Sequence, residues 1–156
     1  MLTLEIPGWK TLNLEYLVLD VNGTLATDGE ILPGIAPAVE QLKGSLIITL
    51  LTADTFGKGT QLAEALGVDL RVIPAGDERE HKLKYIHSLG EERVVSVGQG
   101  ANDAWMLRDA GLGICVLSAE GTAVQTMLAA DVLARDGMEA LNLLLHPDRL
   151  KATLRR

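Results

Sequence analysis

Cysteine and aromatic residues are scarce in this chain of 156 residues, which has one cysteine, two tryptophans, two tyrosines and one phenylalanine. The lone thiol, Cys115, cannot form an internal disulfide, and no cysteine and histidine cluster has the spacing of a zinc site. Nucleic-acid binding requires positive charge and aromatic side chains on which bases stack, whereas this chain has a net charge of -7 and few aromatic residues. The composition therefore excludes a disulfide scaffold, a zinc module and a nucleic-acid partner.

Long hydrophobic runs are absent as well. The longest, residues 46–51, has the length of a strand and falls far short of the roughly 20 apolar residues that span a bilayer. Residues 1–7 show no basic region followed by an apolar stretch, so no secretory signal is predicted. Because 47% of the residues are hydrophobic, the chain can form a globular core. We therefore predict one cytoplasmic domain over residues 1–156, without a membrane partner.

The sequence does contain a regular alternation of two periodicities. Five apolar runs predict buried strands at residues 16–19, 46–51, 70–73, 93–97 and 112–117. Helical spacing of apolar residues predicts helices over 35–43, 60–66, 78–89, 102–110, 122–129 and 138–145. Residues 2–6 alternate as an edge strand would, and residues 149–156 form a basic segment that we expect to be solvated. This order predicts an α/β fold with a parallel sheet covered on both faces.

Polar and glycine-rich segments follow three of the predicted strands. They are residues 20–25 (DVNGTL), 52–55 (TADT) and 98–103 (GQGAND). Ligands bind beyond the carboxyl ends of parallel strands, so we expect these segments to converge, together with Lys82 from the helix before the fourth strand. Taken singly, each residue has an ordinary explanation, with Asp20 as a turn residue, Thr52 as a helix cap and Lys82 as a solvated lysine.

Together, these segments resemble the motifs of the haloacid dehalogenase (HAD) superfamily of aspartyl phosphotransferases. Residues 20–25 stand where that family has its nucleophile motif, Asp-x-Asp-Gly-Thr in phosphatases and Asp-Lys-Thr-Gly-Thr in P-type ATPases. Residues 51–54 (LTAD), 81–84 (HKLK) and 98–104 (GQGANDA) are similar to the pumps' Thr-Gly-Asp, lysine and Gly-Asp-Gly-x-Asn-Asp-Ala motifs. The resemblance extends from about Tyr16 to Asp136, and the chain looks like a soluble, stand-alone version of the pumps' phosphorylation domain.

The resemblance implies a Rossmann-like, HAD-type three-layer fold without a cap domain, and a phosphohydrolase or phosphotransferase that forms an aspartyl-phosphate. The catalytic residues that it implies are Asp20 as the nucleophile, Asn22, Thr52 and Lys82. It implies Mg²⁺ as the cofactor, held by Asp20, the backbone carbonyl of Asn22, and Asp103. The residues that it places around the phosphate are Val21, Thr52, Ala53, Lys82 and Asn102.

Two residues depart from the family pattern. Asn22 stands where the family has the aspartate that protonates the leaving group and then activates water, and an amide cannot exchange a proton at neutral pH. General acid–base catalysis is worth about 10²–10⁴-fold, so we predict slow turnover that an Asn22→Asp substitution raises. Gln99 replaces an acidic metal ligand, which should weaken metal binding. An alternative therefore stays open: an impaired relative that binds phosphate, metal or a partner protein.

The gaps between the motifs are short. Residues 24–52 and 52–82 leave no room for a cap domain or for the nucleotide-binding domain of the pumps, so the resemblance does not extend to ATP binding. Uncapped members of the family act on large substrates or take a lid from a neighbouring subunit. The expected partners are a phosphorylated small molecule or a phosphoprotein as substrate, and a second copy of the chain as a lid in a homo-oligomer.

Overall fold

The structure is a computed structural model that describes residues 1–53 and 57–156. The predicted alternation of strands and helices is confirmed, and six of the strands form a parallel sheet. In spatial order, from one edge to the other, they are β10 (Val132–Ala134), β9 (Leu112–Val116), β8 (Val94–Gly98), β3 (Tyr16–Leu19), β6 (Ile47–Thr52) and β7 (Asp69–Val72). Because these strands are parallel, their carboxyl ends lie at the same edge of the sheet.

Helices cover both faces of this sheet. One layer contains α1 (Ile35–Leu42), α2 (Lys58–Leu66), α6 (Gly137–Leu145) and α7 (Pro147–Leu154). The opposite layer contains α3 (Glu78–Leu89), α4 (Ala104–Asp109) and α5 (Val124–Ala129), with short 3₁₀ turns at Glu91–Arg93 and Ala101–Asp103. Along β3, Leu17 and Leu19 are buried in the first layer and Val18 in the second. The continuous apolar run of β3 is therefore explained by burial on both faces.

The N-terminal segment differs from the prediction. Leu2–Glu5 is a strand, β1, but it does not extend the central sheet. It pairs antiparallel with β2 (Thr11–Leu14), which the sequence pattern did not reveal. Gly8, at a φ of 76°, allows the reversal between the two strands, and Leu4 and Leu12 are buried in the core. The hairpin therefore packs against the core on the side of the first helical layer.

Two further elements were missed at the C-terminal end. β10 has only three residues, too few to establish a periodicity, and it extends the sheet beside β9. The prediction of a solvated basic segment over residues 149–156 is confirmed only in part, because Arg149, Arg155 and Arg156 are exposed but most of the segment belongs to α7. Pro147 begins this helix and Leu150 is fully buried in the core. The break that His146 and Pro147 make is thus a boundary between two helices.

The short connections between the motifs agree with the expected absence of a cap. Between β3 and β6, a stretch that is described in full, the chain forms a two-stranded flap, β4 (Ala26–Thr27) and β5 (Glu30–Ile31), followed by α1. In the described ranges 1–53 and 57–156, no helix is both long and apolar enough to cross a membrane.

Candidate active site

Asp20 follows β3 directly and is nearly buried, with 8% of its surface exposed. Its backbone N–H donates to the Val97 carbonyl of β8 at 3.0 Å, which continues the sheet pairing past the end of β3. Gly23 then takes a φ of 77°, a left-handed conformation that reverses the chain. The reversal brings Thr24 back to the carboxylate, where its Oγ1 donates to Asp20 Oδ2 at 3.0 Å. The turn after β3 therefore fixes the orientation of Asp20.

Asp103 approaches from the loop after β8 and is fully buried. A Cβ atom at Gly98 would lie 2.6 Å from the Asp103 carboxyl carbon, so only glycine allows this approach. Asp103 Oδ2 accepts hydrogen bonds from the backbone N–H groups of Gln99 and Gly100, both at 2.9 Å. Thr126 of α5 fixes the same loop by donating to the Gly100 carbonyl at 2.7 Å. The loop thus holds one oxygen of the carboxylate through two backbone N–H groups.

Lys82 joins the two carboxylates. It lies on the second turn of α3, only 1% of its surface is exposed, and its Nζ is 2.7 Å from Asp20 Oδ1 and 2.6 Å from Asp103 Oδ1. We call Asp20, Lys82 and Asp103 the buried triad. With both carboxylates ionised, the triad carries one net negative charge. Three segments that are distant in the sequence therefore meet at one point, as the strand-end argument predicted.

The surroundings shift the pKa values of Asp20 and Lys82. Burial, together with the charge of Asp103, raises the pKa of Asp20 to about 6, although Lys82 and the hydrogen bond from Thr24 act in the opposite direction. For Lys82, burial alone would lower the pKa, but the two carboxylates outweigh it and hold the pKa above its ordinary value. Lys82 therefore remains a cation over the whole physiological range of pH.

A cavity of about 670 Å³ opens above the triad. The residues that line it are Asp20, Asn22, Thr52, Ala53, Glu78, Lys82, Gln99, Gly100, Ala101 and Asn102. All four predicted catalytic residues are thus brought together. Of the predicted phosphate contacts, Val21 differs from the other four, because its side chain is buried in the core and only its backbone could reach a ligand. Asp54, part of the second motif, lies outside the described residues.

The predicted metal ligands are all oxygen atoms. They are the carboxylates of Asp20 and Asp103 and the backbone carbonyl of Asn22, a donor set that suits a hard divalent cation such as Mg²⁺. Within the described part of the chain, no group of three or more His, Cys, Asp and Glu side chains could hold a metal. Only two of the predicted ligands are carboxylates, so the Asn22 carbonyl would be the third oxygen, and by its chemistry this donor set fits a hard divalent cation.

Gln99 contacts one of the predicted metal ligands. Its Nε2 donates to the Asn22 carbonyl at 3.3 Å, so the amide nitrogen approaches the oxygen that would hold the ion. Ligation of the ion by Gln99 itself would require the side chain to turn its Oε1 inward. The departure from the family pattern at Gln99 thus has a direct structural consequence at the Asn22 carbonyl.

Glu78 is a cavity residue that the sequence interpretation missed. It begins α3, is half-buried, and its Oε2 accepts a hydrogen bond from Asn102 Nδ2 at 2.6 Å. The signal was present in the sequence, since residues four apart on a helix share a face and Glu78 precedes Lys82 by four positions. A helix that places Lys82 at the site therefore places Glu78 at the site as well.

Sequence comparison relates the chain to an uncharacterised protein and to P-type ATPases, while no protein-family model matches it. An uncharacterised protein of Methanocaldococcus jannaschii is 42% identical over 84 residues, which are 51% of this chain and 90% of that protein. The copper-exporting P-type ATPase of Staphylococcus saprophyticus is 28% identical over 148 residues, 92% of this chain but 17% of the pump.

A solved structure covers most of the fold. The crystal structure of 3-deoxy-D-manno-octulosonate 8-phosphate phosphatase from Moraxella catarrhalis, in complex with a magnesium ion, a phosphate ion and KDO, superimposes with a TM-score of 0.71 at 19% identity. The match covers 92% of this chain and 94% of that enzyme. The chain therefore matches the phosphatase over nearly its full length, whereas it matches only a small part of the pump.

Proposed function

We propose that this chain, whose fold is similar to that of HAD-superfamily hydrolases, is a Mg²⁺-dependent phosphohydrolase that forms an aspartyl-phosphate on Asp20. The observation that carries the proposal is the buried triad at the floor of an open cavity. A carboxylate with a raised pKa, fixed by an ammonium group below a cavity with hydroxyl and amide groups, is suited to phosphoryl transfer. The substrate class that we propose is a phosphorylated small molecule or a phosphoprotein.

Charge repulsion is the main obstacle to this reaction. At about 4 Å and an effective dielectric constant of about 20, each pair of like unit charges costs roughly 4 kcal/mol. Lys82 offsets part of this cost, but two carboxylates share its charge. A divalent cation held by Asp20, the Asn22 carbonyl and Asp103 would supply the remaining positive charge beside the phosphate. We expect the metal-free protein to be inactive for this reason.

In the proposed reaction, a carboxylate oxygen of Asp20 attacks phosphorus while the bond to the leaving group breaks. Thr52, which is buried beside the cavity, donates a hydrogen bond from its hydroxyl group to a phosphoryl oxygen. Lys82 keeps hold of the Asp20 carboxyl group, so the attacking oxygen stays oriented. Water then attacks the aspartyl-phosphate and releases inorganic phosphate. Asn22 lines the cavity but provides no proton, so turnover is slow unless another cavity residue supplies that proton.

Hydrolysis of an aryl phosphate in the presence of Mg²⁺ tests the proposal. We expect turnover in the unaltered protein, loss of turnover with Asp20→Asn or with a chelator, and a phosphorylated Asp20 after acid quenching and mass spectrometry. Asp148→Asn is the matched control, because that carboxylate is exposed and pairs only with Lys151 among the described residues. Equal rates for the unaltered protein and Asp20→Asn would overturn the proposal.

A binding function is the second candidate, and the Gln99 contact favours it. A protein whose amide nitrogen approaches the Asn22 carbonyl binds a cation more weakly than one with a carboxylate there. Isothermal titration with Mg²⁺ and inorganic phosphate, together with absent turnover, would support a phosphate-binding protein. Turnover that depends on Asp20 would exclude it. In either case, we infer that a second copy of the chain covers the open cavity.

A further inference from the structure

We propose that Glu78 is the general acid and base of this site, in the role that Asn22 cannot fill. The inference rests on the proposed phosphohydrolase function and adds a residue to it. The cavity has three titratable side chains among the described residues that line it, Asp20, Glu78 and Lys82. Asp20 is the nucleophile, so the exchangeable proton has to come from one of the other two.

Lys82 is unsuited to that exchange. Its Nζ is within 2.7 Å of two carboxylates, which stabilise the ammonium form, and it is almost completely buried. Loss of its proton would leave the two carboxylates without a cation, at a cost of several kcal/mol in a buried site. Glu78 is half-buried and reaches the same cavity, so it can exchange protons with both the reacting groups and water. Glu78 is therefore the cavity residue that remains for the proton transfer.

The position of Glu78 agrees with the direction of the reaction. Phosphoryl transfer places the attacking and leaving oxygens in line, so a leaving group departs on the side away from Asp20. Asp20 and Lys82 lie at the floor of the cavity, and Glu78, one helical turn before Lys82, lies nearer to solvent. Glu78 thus borders the outer part of the cavity, through which the leaving group passes.

One carboxylate oxygen of Glu78 is already engaged. Oε2 accepts the hydrogen bond from Asn102 Nδ2, and among the described residues this carboxylate has no second hydrogen-bond partner. Oε1 is therefore free to carry the proton while Asn102 keeps the group in place. The arrangement thus fixes one carboxylate oxygen and leaves the other available for proton transfer.

The proton balance closes over the two steps. As Asp20 attacks phosphorus, the bond to the leaving oxygen breaks, and that oxygen keeps the electron pair and takes the proton of Glu78. The resulting Glu78 carboxylate then accepts a proton from water as the water oxygen attacks the aspartyl-phosphate. The bond between phosphorus and Asp20 breaks, the free carboxylate returns, and Glu78 is protonated again. The net reaction consumes one water and releases an alcohol and inorganic phosphate.

The test compares Glu78→Gln on two phosphate esters, nitrophenyl phosphate and an alkyl phosphate such as glycerol phosphate. An activated phenol leaves without a proton donor, whereas an alkoxide does not. We expect the first-turnover release of nitrophenol to be unchanged, and the release of glycerol to fall by about 10²-fold or more. Glutamine retains an oxygen for the hydrogen bond from Asn102, so a purely structural role of Glu78 would leave both rates unchanged.

Two further variants make the test decisive. Glu80→Gln removes the same charge from the same helical turn, but Glu80 is exposed, pairs with Lys84 at 2.8 Å, and is not among the described residues that line this cavity. We expect it to behave like the unaltered protein. Asn22→Asp restores the carboxylate of the family pattern. We expect this substitution to increase the rate of glycerol release much more in the Glu78→Gln variant than in the unaltered protein.

Either of two results would overturn the role of Glu78 without contradicting the proposed phosphohydrolase function. One is an equal effect of Glu78→Gln on both esters in a protein whose turnover still depends on Asp20. The other is the absence of any effect on glycerol release. Failure of the proposed function would differ from both, because no ester would then be hydrolysed in an Asp20-dependent way.

Discussion

At Asp20, the requirements of stability and of chemistry oppose each other. Its pKa in the folded protein is about 6, compared with an ordinary value of 3.8, and burial is the largest cause. A raised pKa of an acid means that protonation favours the folded state. This contribution is fully present below pH 3.8 and is lost as the pH rises through 6. The difference between the two pKa values corresponds to about 3 kcal/mol in the free energy of unfolding.

We therefore expect Asp20→Asn to be more stable than the unaltered protein at pH 8 in the absence of metal. Asparagine keeps an oxygen for Lys82 and leaves Lys82 and Asp103 as a neutral pair. Urea unfolding at pH 4, 6 and 8 measures the effect, and the advantage of the variant should shrink toward pH 4. Parallel pH profiles for the two proteins would contradict it. A site residue that destabilises its own fold is a common sign of function.

At the scale of the element, the end of β8 decides whether Asp103 can reach the triad. A Cβ atom at Gly98 would lie 2.6 Å from the Asp103 carboxyl carbon, and the two backbone N–H groups that bind Asp103 follow in the same loop. We expect Gly98→Ala to displace Asp103, to weaken Mg²⁺ binding in isothermal titration by at least tenfold, and to lower the unfolding midpoint.

Gly44→Ala is the matched control for this substitution. A Cβ atom at Gly44 would be 3.5 Å from its nearest neighbour among the described residues, an ordinary contact distance, and the position is remote from the site. We expect its affinity for Mg²⁺ to equal that of the unaltered protein. Unchanged binding in Gly98→Ala would show that Asp103 is not needed for the ion.

The same scale explains which parts of the fold the sequence could predict. Strands buried on both faces, such as β3 and β6, are continuous apolar runs, and a pattern of that kind can be recognised without partners. β2 and β10 are half-exposed or only three residues long, so their existence depends on the strand beside them. α7 follows α6 almost directly, and its basic residues conceal the buried Leu150. Local patterns therefore predict the core and miss elements that tertiary pairing creates.

The same distinction applies to the site. Asp20 and Asp103 follow strands and Thr52 ends one, and the convergence of strand ends in a parallel sheet predicts their proximity. Which carboxylate Lys82 contacts depends on side-chain geometry, and the contact with both could not be predicted from spacing. The Asn102–Glu78 and Gln99–Asn22 hydrogen bonds join segments more than 20 residues apart, and no local pattern records such pairs.

At the scale of the whole molecule, the open cavity lies beside an uncovered apolar surface. Val124 and Leu128 of α5 are 68% and 83% exposed, and Leu133 of β10, at the edge of the sheet, is 49% exposed. α5 also carries Thr126, which fixes the loop of the site through the Gly100 carbonyl. Burial of exposed leucine is worth about 2 kcal/mol per side chain, which favours contact with another apolar surface. We therefore propose that the second copy that covers the cavity contacts α5 and β10.

We expect light scattering coupled to gel filtration to give a mass that is a multiple of the 16.7 kDa chain. Leu128→Glu should lower this mass to that of the monomer, because a carboxylate on α5 would be buried without a partner. Ile47→Glu is the control, since Ile47 is 54% exposed at the opposite end of β6 from Thr52, and we expect it to leave the mass unchanged. A monomeric mass for the unaltered protein would remove the proposed lid, and the cavity would then have to accept its substrate in the open form.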